Sequence, residues 1–122
     1  MKRFNETKVN STCGTVEVGA GLTWDQVYDA LNDTGVIVIG GRVSGVGVAG
    51  LSLGGGACLG SSESPISYSL GYSYKSSQYG LTVDNTAGYE LVLPNGTIKY
   101  VTSEDKDLWF GLRVSDKFDT DR

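Results

Sequence analysis

The 122-residue chain contains no histidine. That removes Ser-His-Asp and Cys-His catalytic machinery, histidine-ligated zinc and any histidyl cofactor link within these residues. Cysteine is almost as scarce. Cys13 and Cys58 leave open one disulfide or none, and two thiols without histidine or C-x-x-C spacing make a poor metal site. Basic charge is short as well: 10 Lys and Arg face 14 Asp and Glu, for a net charge of −4. A reader of nucleic-acid phosphates needs a basic face, so no nucleic acid is expected as a partner. Long apolar runs are missing. The stretch 36–39 and the Gly- and Ser-broken stretch 46–53 fall far below the roughly 20 residues of a membrane span, so no membrane partner is expected. Met1-Lys2-Arg3-Phe4-Asn5-Glu6 has no apolar core, so no signal peptide is expected here.

Glycine is what the chain has in excess. Eighteen glycines are about twice the usual share. Proline occurs only twice and the glycines have no three-residue period, which excludes collagen. An apolar fraction of 39% is too high for simple disorder, and the length suits one domain.

Thr15-Val16-Glu17-Val18 alternates and ends at Gly19, which predicts a short strand. Thr23 followed by Gln26 reads as a capping box, and Trp24, Val27, Tyr28 and Leu31 recur at helical spacing. A helix is therefore expected from Trp24 to about Asn32, stopped by Gly35. The β-branched run Val36-Ile37-Val38-Ile39 predicts a buried strand. Thr82 to Leu93 reads as one or two extended segments with Tyr89, Leu91 and Leu93 on one face. Pro94-Asn95-Gly96 signals a hairpin, and 97–102 reads as the return strand. Ser103 is then expected to cap a helix carrying Leu108, Trp109 and Leu112. This order of elements predicts the α+β class. Residues 57–71 and 114–122 show no such pattern.

Residues 40–56 hold nearly half of the glycines, punctuated by Val43, Val46, Val48, Leu51 and Leu53. A flexible linker lacks such apolar anchors, so the backbone here passes close to something. Gly45-Val46-Gly47-Val48-Ala49-Gly50 matches G-x-G-x-x-G. However, a dinucleotide fingerprint needs a strand immediately before it and an acid about 20 residues on, and position 70 is Leu. Close-packed structural turns and an anion nest for a pyrophosphate both remain open for these glycines. Four N-x-Thr sequons stand at Asn5, Asn10, Asn32 and Asn95. They carry meaning only in a chain that enters the secretory pathway.

Three stretches carry a family likeness: Val16-Glu17-Val18-Gly19-Ala20-Gly21-Leu22-Thr23-Trp24, Gly40-Gly41-Arg42-Val43, and the run from Val46 to Gly56. Together they resemble the FAD-binding domain of the PCMH-type flavoproteins, and within these the fungal berberine-bridge-enzyme-like oxidoreductases. The likeness resumes at Tyr72-Ser73 and passes through Gln78-Tyr79-Gly80-Leu81-Thr82-Val83-Asp84-Asn85 and Glu90-Leu91-Val92-Leu93-Pro94-Asn95-Gly96 to Asp107-Leu108-Trp109-Phe110-Gly111-Leu112-Arg113. It covers 1–56 and 72–113. The resemblance implies a mixed or antiparallel sheet flanked by helices, with a glycine-rich loop around FAD. It also implies FAD as cofactor, a small-molecule substrate of alcohol or sugar type in the full-length parent, and a secreted parent. It places Gly47, Gly50, Gly54, Gly55 and Gly56 at backbone contacts with FAD. Gly40, Gly41, Arg42 and Val43 fall in the loop before them, and Asp84 and Asn85 in the segment after. Simpler roles stand beside these. Arg42 suits a solvated surface, Trp24 and Trp109 suit helix-face anchors, Tyr72 and Tyr79 suit packing, and Asp84 suits a turn cap.

The sequence departs from the family pattern in four places. The attachment histidine and pyrophosphate loop that the family carries upstream are not among these residues. Where bicovalent members carry a cysteine, this chain has Val43, and neither Cys13 nor Cys58 replaces it. The pattern runs Gly-Gly-Gly directly into Tyr-Ser, so 57–71 reads as an insertion, of the kind a retained in-frame intron leaves. Residues 114–122 read as a tail foreign to the family. The expectation is a partial FAD-binding domain over 1–113, with no catalytic residue of its own and no turnover by itself. The alternatives are a noncatalytic folded fragment and a small secreted glycine-rich glycoprotein, neither binding flavin.

Overall fold

The computed structural model describes residues 4–54 and 73–113. The expected insertion at 57–71, the tail at 114–122, and Gly55, Gly56 and Tyr72 lie outside the described residues.

The alternation at Thr15–Val18 forms strand β2, with Val16 and Val18 half-covered and Thr15 and Glu17 exposed. Its antiparallel partner is β1, Thr7–Asn10, with Thr7 opposite Val18 and Asn10 opposite Thr15. The sequence gives no sign of β1, because only Thr7 in it is partly covered and no apolar alternation results. Asn10 closes the turn: its Oδ1 accepts the Thr12 and Cys13 N–H groups at 3.2 and 3.4 Å.

Helix α1 spans Trp24–Leu31, as its spacing predicts. Gln26 Oε1 accepts the Thr23 N–H at 3.0 Å, satisfying one of the donors that a helix start leaves orphaned. Trp24, Val27 and Leu31 form the buried stripe. With Leu22, Val48 and Leu51 they make the core, and Val16, Val18, Tyr28, Val38 and Val46 pack around it.

The run Val36–Ile39 is not the buried strand expected. Val36 and Ile37 are exposed, Ile37 to 62%, and among the described residues no strand pairs with them. β-branched residues favour extended backbone, but a strand exists only where a neighbour takes its ladder hydrogen bonds. The glycine-rich region also differs from an open loop over its whole length, because Val48–Gly54 forms helix α2.

The second half opens with α3, Ser76–Tyr79, followed by a 3₁₀ turn at Thr82–Asn85 that packs against α2. An extended chain was expected from Thr82, but the strand β3 is confined to Tyr89–Val92. Side-chain bonds to the backbone curl the earlier part. Asp84 Oδ2 accepts the Leu81 N–H at 3.0 Å, and Asn85 Nδ2 donates to the Tyr79 and Leu81 carbonyls at 2.9 and 2.8 Å. Strand β4, Ile98–Val101, pairs antiparallel with β3 through the expected hairpin, and Gly96 takes the φ of +81° that its turn needs. Helix α4 is Lys106–Arg113, two residues later than a Ser103 cap implies. The Asp105 carbonyl accepts the Trp109 N–H at 2.8 Å, while the Asp105 carboxylate holds Lys99. Residues 103–105 are therefore turn. Tyr89 and Trp109 meet with ring centroids 5.7 Å apart.

Candidate functional site

The turn that leads into α2 is held to the start of α1. The Trp24 N–H donates to the Val46 carbonyl and the Val48 N–H to the Leu22 carbonyl, each at 2.9 Å, around a bridge between Thr23 and Gly47. Asp25, in the first turn of α1, adds a side-chain clasp. Its Oδ2 accepts the Gly45 N–H at 2.6 Å and the Ser44 hydroxyl at 3.2 Å. Gly45 has φ +79°, the left-handed region that favours glycine. Tyr28 donates its hydroxyl to the Gly41 carbonyl at 2.8 Å. Burial, with Tyr74 and Asp25 nearby, raises the Tyr28 pKa above its ordinary value. The Tyr74 hydroxyl donates to the Arg42 carbonyl at 3.4 Å.

The glycines of this region divide by cause. A β-carbon at Gly40 would overlap the Trp24 indole, 2.1 Å from Cε3 and Cζ3, and one at Gly41 would lie 2.6 Å from Trp24 Cδ1 and 3.0 Å from Leu51 Cδ2. These two glycines make room for a side chain of the chain itself. Gly47 and Gly50 are different. Among the described residues a β-carbon at either meets nothing within 4 Å, neither has a positive φ, and both are exposed. Nothing in the described fold asks for glycine there, and Gly50 inside a helix costs about 1 kcal/mol against alanine. Gly111 in α4 is open in the same way. Gly54 ends α2.

The structure thus brings Gly40, Gly41 and Gly47 against the start of α1, with Arg42 and Val43 in the loop between Gly41 and the Asp25 clasp, Gly50 within α2 and Gly54 at its end. Asp84 and Asn85 belong to the 3₁₀ turn that packs on α2. Their side chains are engaged locally: Asp84 Oδ1 also pairs with Arg113 Nη2 at 3.2 Å. Trp24 is the core anchor expected of it, at 3% exposure. The sequence marks Tyr28 only as part of the apolar face of α1 and gives Asp25 no role. The one available signal was an acid in the first turn of a helix, which helix polarity alone explains. Among the described residues no group of three or more His, Cys, Asp or Glu gathers as for a metal ion, and no helix is long and apolar enough to cross a membrane.

No protein-family model matches the chain. The FAD-dependent monooxygenase FUP4 of Fusarium proliferatum is 39% identical over 114 residues, 93% of this chain and 19% of that protein. An uncharacterized FAD-linked oxidoreductase of Arthroderma benhamiae is 36% identical over 97 residues, 80% of this chain and 16% of that protein. Among solved structures, BBE-like 1 of Physcomitrella patens superposes with a TM-score of 0.74 at 32% identity, over 93% of this chain and 22% of that one. The chain thus matches one segment of fungal FAD-linked oxidoreductases. Its helices and antiparallel hairpins have the fold of one segment of the PCMH-type, berberine-bridge-enzyme-like FAD-binding domain. It spans about a fifth of the length of the FAD-linked relatives it matches.

Proposed function

We propose that this chain contributes part of the FAD-binding half of a flavin-dependent oxidoreductase whose full-length parent oxidises a small alcohol or sugar. The observation that carries the reading is the open face at Gly47 and Gly50, where glycine answers neither to backbone conformation nor, among the described residues, to any neighbour within 4 Å. Glycine kept at a cost without an internal reason suits close approach of a ligand to the backbone. The residues proposed to hold FAD are Gly47, Gly50, Gly54, Gly55 and Gly56, with Arg42 and Val43 at the approach and Asp84 and Asn85 flanking. Gly40 and Gly41 act indirectly, by seating the loop on Trp24.

FAD, when bound, supplies the two-electron redox chemistry. The chain's own residues do the positioning. Asp25 and Tyr28 clasp the loop through the Gly45 N–H and the Gly41 carbonyl. The main chain at Leu22 and Trp24 fixes where α2 begins. We assign no residue here as the substrate base, and the chain alone is expected not to turn over. The domain reading is 1–113 as a partial FAD-binding domain, interrupted at 57–71, with 114–122 foreign to it.

The test is titration of the purified chain with FAD and, separately, with riboflavin, which lacks the pyrophosphate and adenosine. Saturable quenching of FAD fluorescence, weaker for riboflavin, supports the reading. A folded chain that ignores both supports the fragment or glycoprotein that binds no flavin.

A further inference from the structure

We propose that Asn5, Asn10, Asn32 and Asn95 are acceptor sites for N-linked oligosaccharide, an assignment that does not depend on the flavin reading. The chain has five asparagines and 23 Ser and Thr among its 122 residues. A Ser or Thr two positions after an asparagine is thus expected about once in five, yet four of the five have one. All four are Thr: Thr7, Thr12, Thr34 and Thr97. The sequon marks a surface loop in a protein that meets the glycosylation machinery, and the fold puts these asparagines where that chemistry needs them. All four are exposed. Asn5 lies in the stretch before β1, Asn10 ends β1, Asn32 caps the C-terminus of α1, and Asn95 sits in the β3–β4 turn.

The reacting atom separates these four from the fifth. Asn85, outside any sequon, spends its Nδ2 on the Tyr79 and Leu81 carbonyls at 2.9 and 2.8 Å. Among the described residues nothing accepts a hydrogen bond from Nδ2 of Asn5, Asn10, Asn32 or Asn95. Where these side chains do bond, they use the oxygen. Asn10 Oδ1 accepts the Thr12 N–H at 3.2 Å, and Asn95 Oδ1 accepts the Thr97 N–H at 3.0 Å. Among the described residues the four nitrogens are thus unbonded, and at Asn10 and Asn95 the amide oxygen is held. The co-substrate is a lipid-diphosphate-linked oligosaccharide. Nδ2 forms the bond to the sugar C1, the C1–O bond to the diphosphate breaks, the lipid diphosphate leaves with the electron pair, and one amide proton passes to a base of the transferase.

The experiment is cell-free translation of the full chain behind a cleavable secretory leader with endoplasmic-reticulum microsomes, followed by protease protection and endoglycosidase H. The protected chain is expected to migrate as a ladder of up to four glycans that collapses on deglycosylation. Each of Thr7→Ala, Thr12→Ala, Thr34→Ala and Thr97→Ala should remove one step while leaving its asparagine in place. Acceptance of glycan during translocation does not require the chain to finish folding, so a folding defect leaves the result readable. A protease-protected chain running at its unmodified mass overturns the proposal. A ladder that the threonine variants leave unchanged overturns the assignment to these four asparagines.

Discussion

Gly40 lies so close to the indole of Trp24 that a β-carbon on it would stand 2.1 Å from Cε3 and Cζ3. The pair locks the glycine-rich loop to α1 at the centre of the core, because Trp24 is itself buried at 3% exposure. It also divides the glycines of 40–50 into those that serve packing and those that leave a surface open.

Gly40→Ala is therefore expected to destabilise the flavin-free protein by about 1–3 kcal/mol, the usual cost of overpacking a filled core. Urea or thermal unfolding without FAD checks this. A midpoint equal to that of the wild type would mean that Trp24 has room to move away.

Asp25→Ala removes the acceptor of the Gly45 N–H and the Ser44 hydroxyl. A loss on the order of 1 kcal/mol is expected for a partly exposed hydrogen bond to a charged group. The Gly45 amide should also exchange with solvent faster than in the wild type. Asp25→Asn retains an acceptor oxygen and should restore most of the protection. Gly45 exchange that stays slow in both variants would show that the main-chain bonds at Trp24 and Val48 hold the turn by themselves.

Tyr28 makes the loop sensitive to alkali. Its pKa is raised from 10.0, first by burial and then by the neighbouring Tyr74 and Asp25. The fold therefore holds this proton more tightly than the unfolded chain does. That contribution to stability is complete below pH about 10 and is lost as pH rises through the folded value. Tyr28→Phe gives up the bond to the Gly41 carbonyl, at a cost of about 0.5–1.5 kcal/mol at neutral pH. Its unfolding midpoint should then fall less steeply than that of the wild type between neutral pH and strong alkali. Parallel curves would contradict the assignment.

The elements that read correctly from sequence are those whose pattern is satisfied locally. The spacing of Trp24, Val27 and Leu31 fixes α1 whatever surrounds it, and Pro94-Asn95-Gly96 needs only its own strands. The failures lie where a partner decides. Val36–Ile39 has strand composition but no ladder neighbour among the described residues. The Thr82–Asn85 stretch reads as extended until Asp84 and Asn85 bond back to residues 79 and 81. At the candidate site the glycine clustering was legible, and so was its likeness to flavin enzymes. Its division was not, because only the position of Trp24 tells Gly40 and Gly41 apart from Gly47 and Gly50. The clasp by Asp25 joins residues 20 positions apart, a separation that no periodicity signals.

The central claim is that Gly47 and Gly50 are glycines for the sake of a ligand. Its most direct test is one measurement on Gly50→Ala beside the wild type: FAD affinity by fluorescence titration, with the thermal midpoint of the same flavin-free samples. Alanine meets no neighbour there and is the better helix former. The flavin-free midpoint should hold or rise, while FAD affinity should fall by about tenfold or more, since a methyl group then stands where the backbone meets the cofactor. A Gly50→Ala protein that binds FAD as tightly as the wild type would contradict the account.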